Sequence, residues 1–179
     1  MTIFKTRDDM FLSLNINMII AEIGVFKGEF SKYIIDQLEP KELHLIDIFE
    51  GMMCSGDKDG NNIVWIDIGN EFIKLSQTYS NQSNIHIHKG RSSNILSQFP
   101  DSYFDMIYID ADHSYNGTMS DLIFAKNKVK KDGIISGHDY TRVIFPGVVD
   151  AVDDFCKMHD LEINSLTLDG CPSFLIYNT

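Results

Sequence analysis

Cysteine, positive charge, long apolar runs and repeats are scarce or missing in this sequence. Only Cys54, Cys156 and Cys171 occur. Their number is odd and no C-x-x-C spacing joins them, which argues against a disulfide framework or a cysteine-rich zinc site. Lysine and arginine total 15 against 26 aspartates and glutamates, for a net charge of -11. A surface that negative repels phosphate backbones, so nucleic acid is a disfavoured partner. No apolar run is long enough to span a bilayer, so a membrane partner is not expected either. The first twenty residues hold Asp8 and Asp9 and no small-residue cleavage pattern. No secretory leader is therefore expected, and the expected location is cytoplasmic. Low-complexity segments and internal repeats are absent, and tryptophan occurs once, as Trp65.

What is present is an ordinary globular balance: 179 residues, 44% hydrophobic and 23% charged. That fits one domain over residues 1–179 with a single core. Apolar runs alternate with amphipathic stretches. The runs predict strands over residues 18–23, 42–46, 84–88, 104–109 and 133–137, then near 162–168 and 173–177. The stretches predict helices over 29–38, 70–79, 93–99, 118–129 and 148–158. Repeated β-α units imply an α/β fold of Rossmann-like, three-layer type. The sheet should be seven-stranded and mostly parallel, with one antiparallel strand from the closing hairpin. Residues 1–17 read as an N-terminal extension. Residues 49–69 form a long connection rich in Gly, Asp, Asn and Met, and a segment of that length suggests a lid. Met52, Met53 and Trp65 would give it apolar contacts to an acceptor.

The first strand ends in Ala21-Glu22-Ile23-Gly24-Val25-Phe26-Lys27-Gly28. Gly24 allows a sharp turn, and Gly28 lets the chain pass close to a ligand as the helix opens. In open α/β sheets ligands bind at the carboxyl ends of the strands, where strand order reverses. Glu22 is placed to order the turn, or to meet a cationic ligand group through water. Asp47 follows the second strand, 19 residues after Gly28. An acid at that distance can take paired hydrogen bonds from a ribose diol, which points to an adenosine-containing cofactor. A dinucleotide site wants G-x-G-x-x-G, but Phe26 stands at the middle glycine and Glu29 at the third. A carboxylate there repels a pyrophosphate, so NAD is disfavoured.

Residues 21–31 resemble motif I of class I methyltransferases, in the form found in the small-methyltransferase family labelled Methyltransf_24. Further segments match in order: Ile46-Asp47, Lys89-Gly90-Arg91-Ser92, Asp110-Ala111-Asp112-His113-Ser114-Tyr115, Gly137-His138-Asp139-Tyr140 and Pro146-Gly147-Val148. The resemblance implies that S-adenosyl-L-methionine is the cofactor. It implies that Glu22, Gly24 and Gly28 surround its methionine part and that Asp47 binds its ribose. Gly90, Arg91 and Ser92 would line the adenine side, and Asp110 would close the pocket floor. Residues 1–17 match nothing in that pattern.

Asp110-Ala111-Asp112-His113 follows the fourth strand at the same sheet edge. Methyl transfer to a hydroxyl requires an aligned acceptor and a group that removes its proton. His113 has the pKa range of a general base, and Asp112 could orient it or act as the base itself. His138 and Asp139 follow the fifth strand, so Asp110, His138 and Asp139 could converge on a divalent cation, with Mg²⁺ suited to oxygen ligands. The sequence also resembles metal-dependent sugar O-methyltransferases, which carry an acid where His138 stands. Asp110 and Asp139 could equally serve loop amides and cofactor alone. His86 and His88 lie two apart on one strand face, without an evident partner carboxylate, and read as half-buried histidines. His44 and His159 carry no functional expectation. Tyr115 and Tyr140 could line an acceptor pocket or pack loops, while Asp150, Asp153 and Asp154 suggest a solvated helix face. The leading expectation is O-methylation of a small or sugar-like acceptor, with self-association left open. A nucleotide-binding oxidoreductase and a non-catalytic binding module of the same fold are the alternatives.

Overall fold

The computed structural model describes residues 1–55 and 64–179, and for residues 52–55 and 64–66 the backbone alone. Its strands are β1 (Thr2–Phe4), β2 (Ile19–Ile23), β3 (Glu42–Asp47), β4 (Met52–Ser55), β5 (Val64–Asp67), β6 (Ile85–Lys89), β7 (Phe104–Ile109), β8 (Val129–Gly137), β9 (Ser165–Thr167) and β10 (Phe174–Tyr177). Its helices are α1 (Arg7–Phe11), α2 (Glu29–Leu38), α3 (Ile68–Thr78), α4 (Ser92–Leu96), α5 (Tyr115–Lys128) and α6 (Pro146–His159).

The strands with the longest apolar runs occupy the centre, where both faces are covered. One sheet runs in the order β1-β9-β10-β8-β7-β2-β3-β6. Every neighbour pair is parallel except those of β10, which is antiparallel to β8 and β9. This is the expected α/β sandwich, with eight strands in place of seven. The additional strand is β1, which pairs Thr2 to Phe4 with Ser165 to Thr167. Three residues at a sheet edge carry too little alternation to be read as a strand.

Side chains alternate across the sheet and build a core on each face. Leu43, Leu45, Met106, Tyr108 and Leu175 join Phe11, Ile34 and Leu75 on the side of α1, α2 and α3. Ile46, Ile107, Ile109, Phe174 and Ile176 join Leu96, Leu122, Val152 and Phe155 on the side of α4, α5 and α6. The extension over residues 1–17 is part of this packing, because Met10 and Phe11 are fully buried. The long connection has secondary structure at its ends. β4 and β5 pair antiparallel, with Met52 opposite Asp67, and α3 starts directly after. The side chains of Met52, Met53 and Trp65, expected to contact an acceptor, lie outside the described residues. No helix among the described residues is long and apolar enough to cross a membrane.

The chain runs from β2 outward through β3 to β6, then returns to the other side of β2 as β7. Strand order therefore reverses between β2 and β7. A crevice opens there at the carboxyl ends, which is where such sheets hold ligands.

Candidate functional site

Backbone hydrogen bonds continue past the strand ends and align four loops. Gly90 N donates to Asp47 O (2.9 Å), Gly24 N to Ile46 O (2.9 Å), Asp110 N to Ile23 O (2.8 Å) and His138 N to Ile109 O (3.1 Å). Gly24 has φ +88°, and a Cβ there would stand 1.9 Å from the Asp110 carbonyl oxygen. Only glycine lets β2 turn this close to β7. Phe26, two residues on, also has positive φ, at 51°.

These loops enclose a cavity of about 660 Å³. That lies within the range of small-molecule sites, roughly 300–1,000 Å³. Gly24, Asp47, Gly90, Arg91, Ser92 and Asp110, all expected on the cofactor side, line it together with Phe26, Ile48, Asp112, Asn116 and Asp121. Among the described residues its walls thus carry Asp47, Asp110, Asp112 and Asp121 against Arg91 alone. That donor set suits a ligand with a positive charge and opposes a pyrophosphate.

Asp47 has work beyond any ribose. Its Oδ2 accepts from Val25 N (2.9 Å) and Phe26 N (3.0 Å), and its Oδ1 accepts from Phe49 N (2.9 Å). The carboxylate therefore holds the glycine turn, and among the described residues one acceptor direction on Oδ1 is unused. Glu22 and Gly28, the other residues expected around the methionine part, are not on the cavity wall. Glu22 is buried on β2 and accepts from Ser31 Oγ of α2 at 2.5 Å. Burial pushes its carboxyl pKa up to about 8, against the opposing pull of the Ser31 hydrogen bond. Gly28, at φ +76°, caps α2 and packs against Leu75.

Beside the cavity, Asp110, His113, His138 and Asp139 converge. His113 Nε2 lies 2.8 Å from Asp139 Oδ2 and 3.7 Å from Asp110 Oδ1. His138 Nδ1 lies 3.0 Å from Asp139 Oδ1 and 3.8 Å from Asp110 Oδ2. The two carboxylates hold the His113 imidazole protonated, raising its pKa to about 9. Although burial opposes its charge, Asp139 is driven well below the usual carboxylate range by the two histidines. Asp139 is buried and has φ +62°, a costly conformation for a non-glycine residue of the kind that marks functional sites. The first turn of α6 presses on this loop. A Cβ on Gly147 would sit 2.8 Å from His113 O and Tyr115 N. Phe145 packs against the His113 ring, with centroids 4.3 Å apart.

The two candidate bases differ in access. Asp112 lines the large cavity, with Oδ1 accepting from Ser114 N at 2.8 Å. His113 lines only a small pocket behind it. Tyr115 and Tyr140 line neither pocket; their hydroxyls donate to Asp154 (3.1 Å) and Asp153 (2.5 Å) of α6 and so tie loops to the helix. Asp150 and Asp153 also pair with Arg142.

Sequence reasoning missed Asp121. It is buried on α5, accepts from Ser92 Oγ at 2.5 Å, and has its pKa raised to about 6 by burial. The available signal was a lone acid within the helix following Asp112. Nor did sequence reasoning place Cys171 at the site, where its thiol lies against Asp139.

A family model described as a methyltransferase domain matches residues 21–140. No curated protein matches the sequence. Among solved structures the chain is similar to the N-methyltransferase NodS from Bradyrhizobium japonicum, with TM-score 0.62, 16% identity, and coverage of 96% of this chain and 94% of that one. It is similar to spermidine synthase from Thermotoga maritima, with TM-score 0.62, 15% identity, and coverage of 97% and 57%. It is also similar to the methyltransferase CalH in complex with SAH, with TM-score 0.65, 10% identity, and coverage of 95% and 55%. The chain thus spans little more than half the length of the last two. At these identities the likeness establishes the fold.

Proposed function

Because the chain belongs to the methyltransferase-domain family, we propose that it moves a methyl group from S-adenosylmethionine to a hydroxyl of a small or sugar-like acceptor. The observation that carries the cofactor reading is the cavity at the switch point, whose walls hold, among the described residues, four aspartates against one arginine. S-adenosylmethionine supplies a methyl group on a positively charged sulfur, and that charge matches these walls. Asp47 offers its unused Oδ1 direction to one ribose hydroxyl while its other bonds keep the turn in place. Ser92 and Asp121 stand on the adenine side, with Asp121 as an acceptor for an exocyclic amine.

Asp112 is the better-placed base, since it faces the cavity. It takes the proton of the acceptor hydroxyl as the oxygen gains its methyl group, leaving S-adenosylhomocysteine. His113 is less suited to that step, because an imidazole held protonated by two carboxylates has no lone pair to offer at neutral pH. Its role belongs with Asp110 and Asp139. One ligand atom from each of the three lies within 4.8 Å of the others. His113 Nε2 is buried without a well-formed hydrogen bond, even with Asp139 Oδ2 beside it. With the His113 proton displaced, its Nε2 lone pair becomes available and the set fits a divalent cation, with His138 as a neighbouring fourth donor. When bound, the cation would act as a Lewis acid on the acceptor oxygen.

The test is transfer of labelled methyl from S-adenosylmethionine to a panel of small hydroxyl and amine acceptors, with and without chelator. Hydroxyl products are expected. Asp112→Asn should then lower turnover by about 10²- to 10⁴-fold while S-adenosylhomocysteine affinity changes little. Labelling of amines alone would overturn the hydroxyl reading, and full activity in chelator would remove the metal.

A further inference from the structure

A second group of chemistry-bearing side chains lies away from this site, on the sheet face covered by α4 and the loop after it. β3 and β6 pair in parallel register with His44 opposite His86 and Ile46 opposite His88. Alternation along both strands puts Glu42, His44, His86 and His88 on one face. The His44 ring stacks on His86 with centroids 4.7 Å apart and on His88 at 5.3 Å. Phe99, Tyr103 and Phe104 meet the His44 ring edge-on and shut it from water.

The polar atoms in this group are unevenly satisfied. His44 is 5% exposed, and its Nδ1 lies 3.0 Å from His88 Nε2, so one ring nitrogen donates to the other. Its Nε2 is buried and has no hydrogen-bond partner. Glu42 Oε2 stands 3.5 Å from that nitrogen, beyond a formed hydrogen bond. Glu42 is itself fixed, because the Tyr103 hydroxyl donates to Oε2 at 2.7 Å. One ligand atom each from Glu42, His44 and His86 lies within 4.8 Å of the others.

We propose that Glu42, His44 and His86 form a binding site for a zinc-type divalent cation, separate from the catalytic cluster. Two observations select a metal over a stack of imidazoles, and a third selects which metal. The first is the buried, unpartnered Nε2 pointing toward a carboxylate. In the tautomer where Nδ1 donates to His88, that Nε2 carries a lone pair, and a ligating histidine commonly has its other nitrogen held in this way. The second is spacing. Tetrahedral ligands at about 2.0–2.1 Å from zinc stand about 3.4 Å apart, and the Nε2 to Oε2 distance is 3.5 Å. The third is ligand type, since two imidazoles and one carboxylate favour zinc over magnesium. The cation would clamp edge strand β6 to β3. Residues Gly90 and Arg91, directly after β6, line the cofactor cavity, so the clamp steadies one of its walls.

The test uses the full chain, stripped with chelator and then titrated with Zn²⁺ or Co²⁺ alone. Wild type is compared with His86→Ala, Glu42→Gln and His88→Ala. His86 and Glu42 are only partly buried, and glutamine keeps an acceptor for Tyr103, so these variants should fold. All four proteins keep Asp110, His113 and Asp139, so metal held there contributes equally and cancels. Wild type should bind one more equivalent of Zn²⁺ than His86→Ala and show a larger metal-induced rise in melting temperature. Its Co²⁺ complex should show the intense visible absorption of a tetrahedral site, lost in His86→Ala and Glu42→Gln. His88→Ala should keep the site but weaken it by about 10- to 100-fold. Equal stoichiometry and equal melting shifts in wild type, His86→Ala and Glu42→Gln would overturn the proposal, as would no Zn²⁺ binding by any of them.

Discussion

Glu22 shows how a single buried acid links the site to stability. Its folded pKa of about 8 lies above the ordinary value of 4.5. Between those values the folded chain holds a proton that the unfolded chain has lost. Stability contributed by the neutral carboxyl is full below about pH 4.5 and falls as pH rises toward 8. Glu22→Gln removes the titration and keeps an acceptor for Ser31. The variant should gain on wild type by up to a few kcal/mol as pH rises from 5 to 8.5, read from melting curves at each pH. A constant difference across that range would exclude the ionisation. Asp47 makes a contrasting case. Three backbone amides donate to its carboxylate, so Asp47→Ala should weaken S-adenosylhomocysteine binding and also destabilise the ligand-free chain, by at least ~1 kcal/mol in a denaturant titration. Loss of affinity with unchanged stability would show that the turn does not depend on it. The spacing from Gly28 singled out Asp47, which lines the cavity. It could not show the bonds to Val25 and Phe26, because those need the neighbouring strand in place.

At the scale of elements, legibility followed length. β7 and the buried end of β8 were readable as continuous apolar runs, and α2 and α6 as amphipathic stretches with a glycine or proline at their start. Three-residue β1 and five-residue α1 offered no period, so residues 1–17 read as an appendage. Their packing is decided by a few large side chains. Phe11 meets Phe30 edge-on at 5.1 Å and Tyr108 at 5.5 Å. Arg7 lies 3.9 Å over the Phe30 ring and donates to the Tyr108 hydroxyl at 3.0 Å. The first helix thereby braces β7 from the side of α2, behind the strand that presents Asp110. Phe11→Ala should cost about 3–5 kcal/mol in unfolding free energy, the range for a fully buried phenylalanine. A loss below 1 kcal/mol would mean that residues 1–17 lie on the domain without supporting it. The glutamate of the histidine group was missed for a related reason: Glu42 and His86 are 44 residues apart and meet only through the register of β3 with β6.

For the whole molecule, charge narrows the partners that the fold leaves open. The same architecture serves proteins of different chemistry, including a spermidine synthase and an N-methyltransferase, so topology alone does not choose a ligand. The net charge of -11 is concentrated usefully here, since the cavity repeats the excess of acid over base found in the chain as a whole. A cationic cosubstrate is attracted to such a field, whereas a dinucleotide brings a pyrophosphate into it. The prediction separates the cofactor from its main rival without needing the acceptor. S-adenosylhomocysteine at 100 times its Kd should stabilise the native chain by ~2.7 kcal/mol. For a domain of this size that raises the melting temperature by roughly 5–10 °C. NAD at the same concentration should leave it unchanged. S-adenosylhomocysteine lacks the methyl group and its fixed sulfonium charge, so S-adenosylmethionine should bind more tightly, with an advantage that shrinks as ionic strength rises. A melting shift from NAD and none from S-adenosylhomocysteine would return the chain to the oxidoreductase alternative. Equal affinity for the two adenosyl ligands at every salt concentration would show that the aspartates do not sense the methyl-bearing charge.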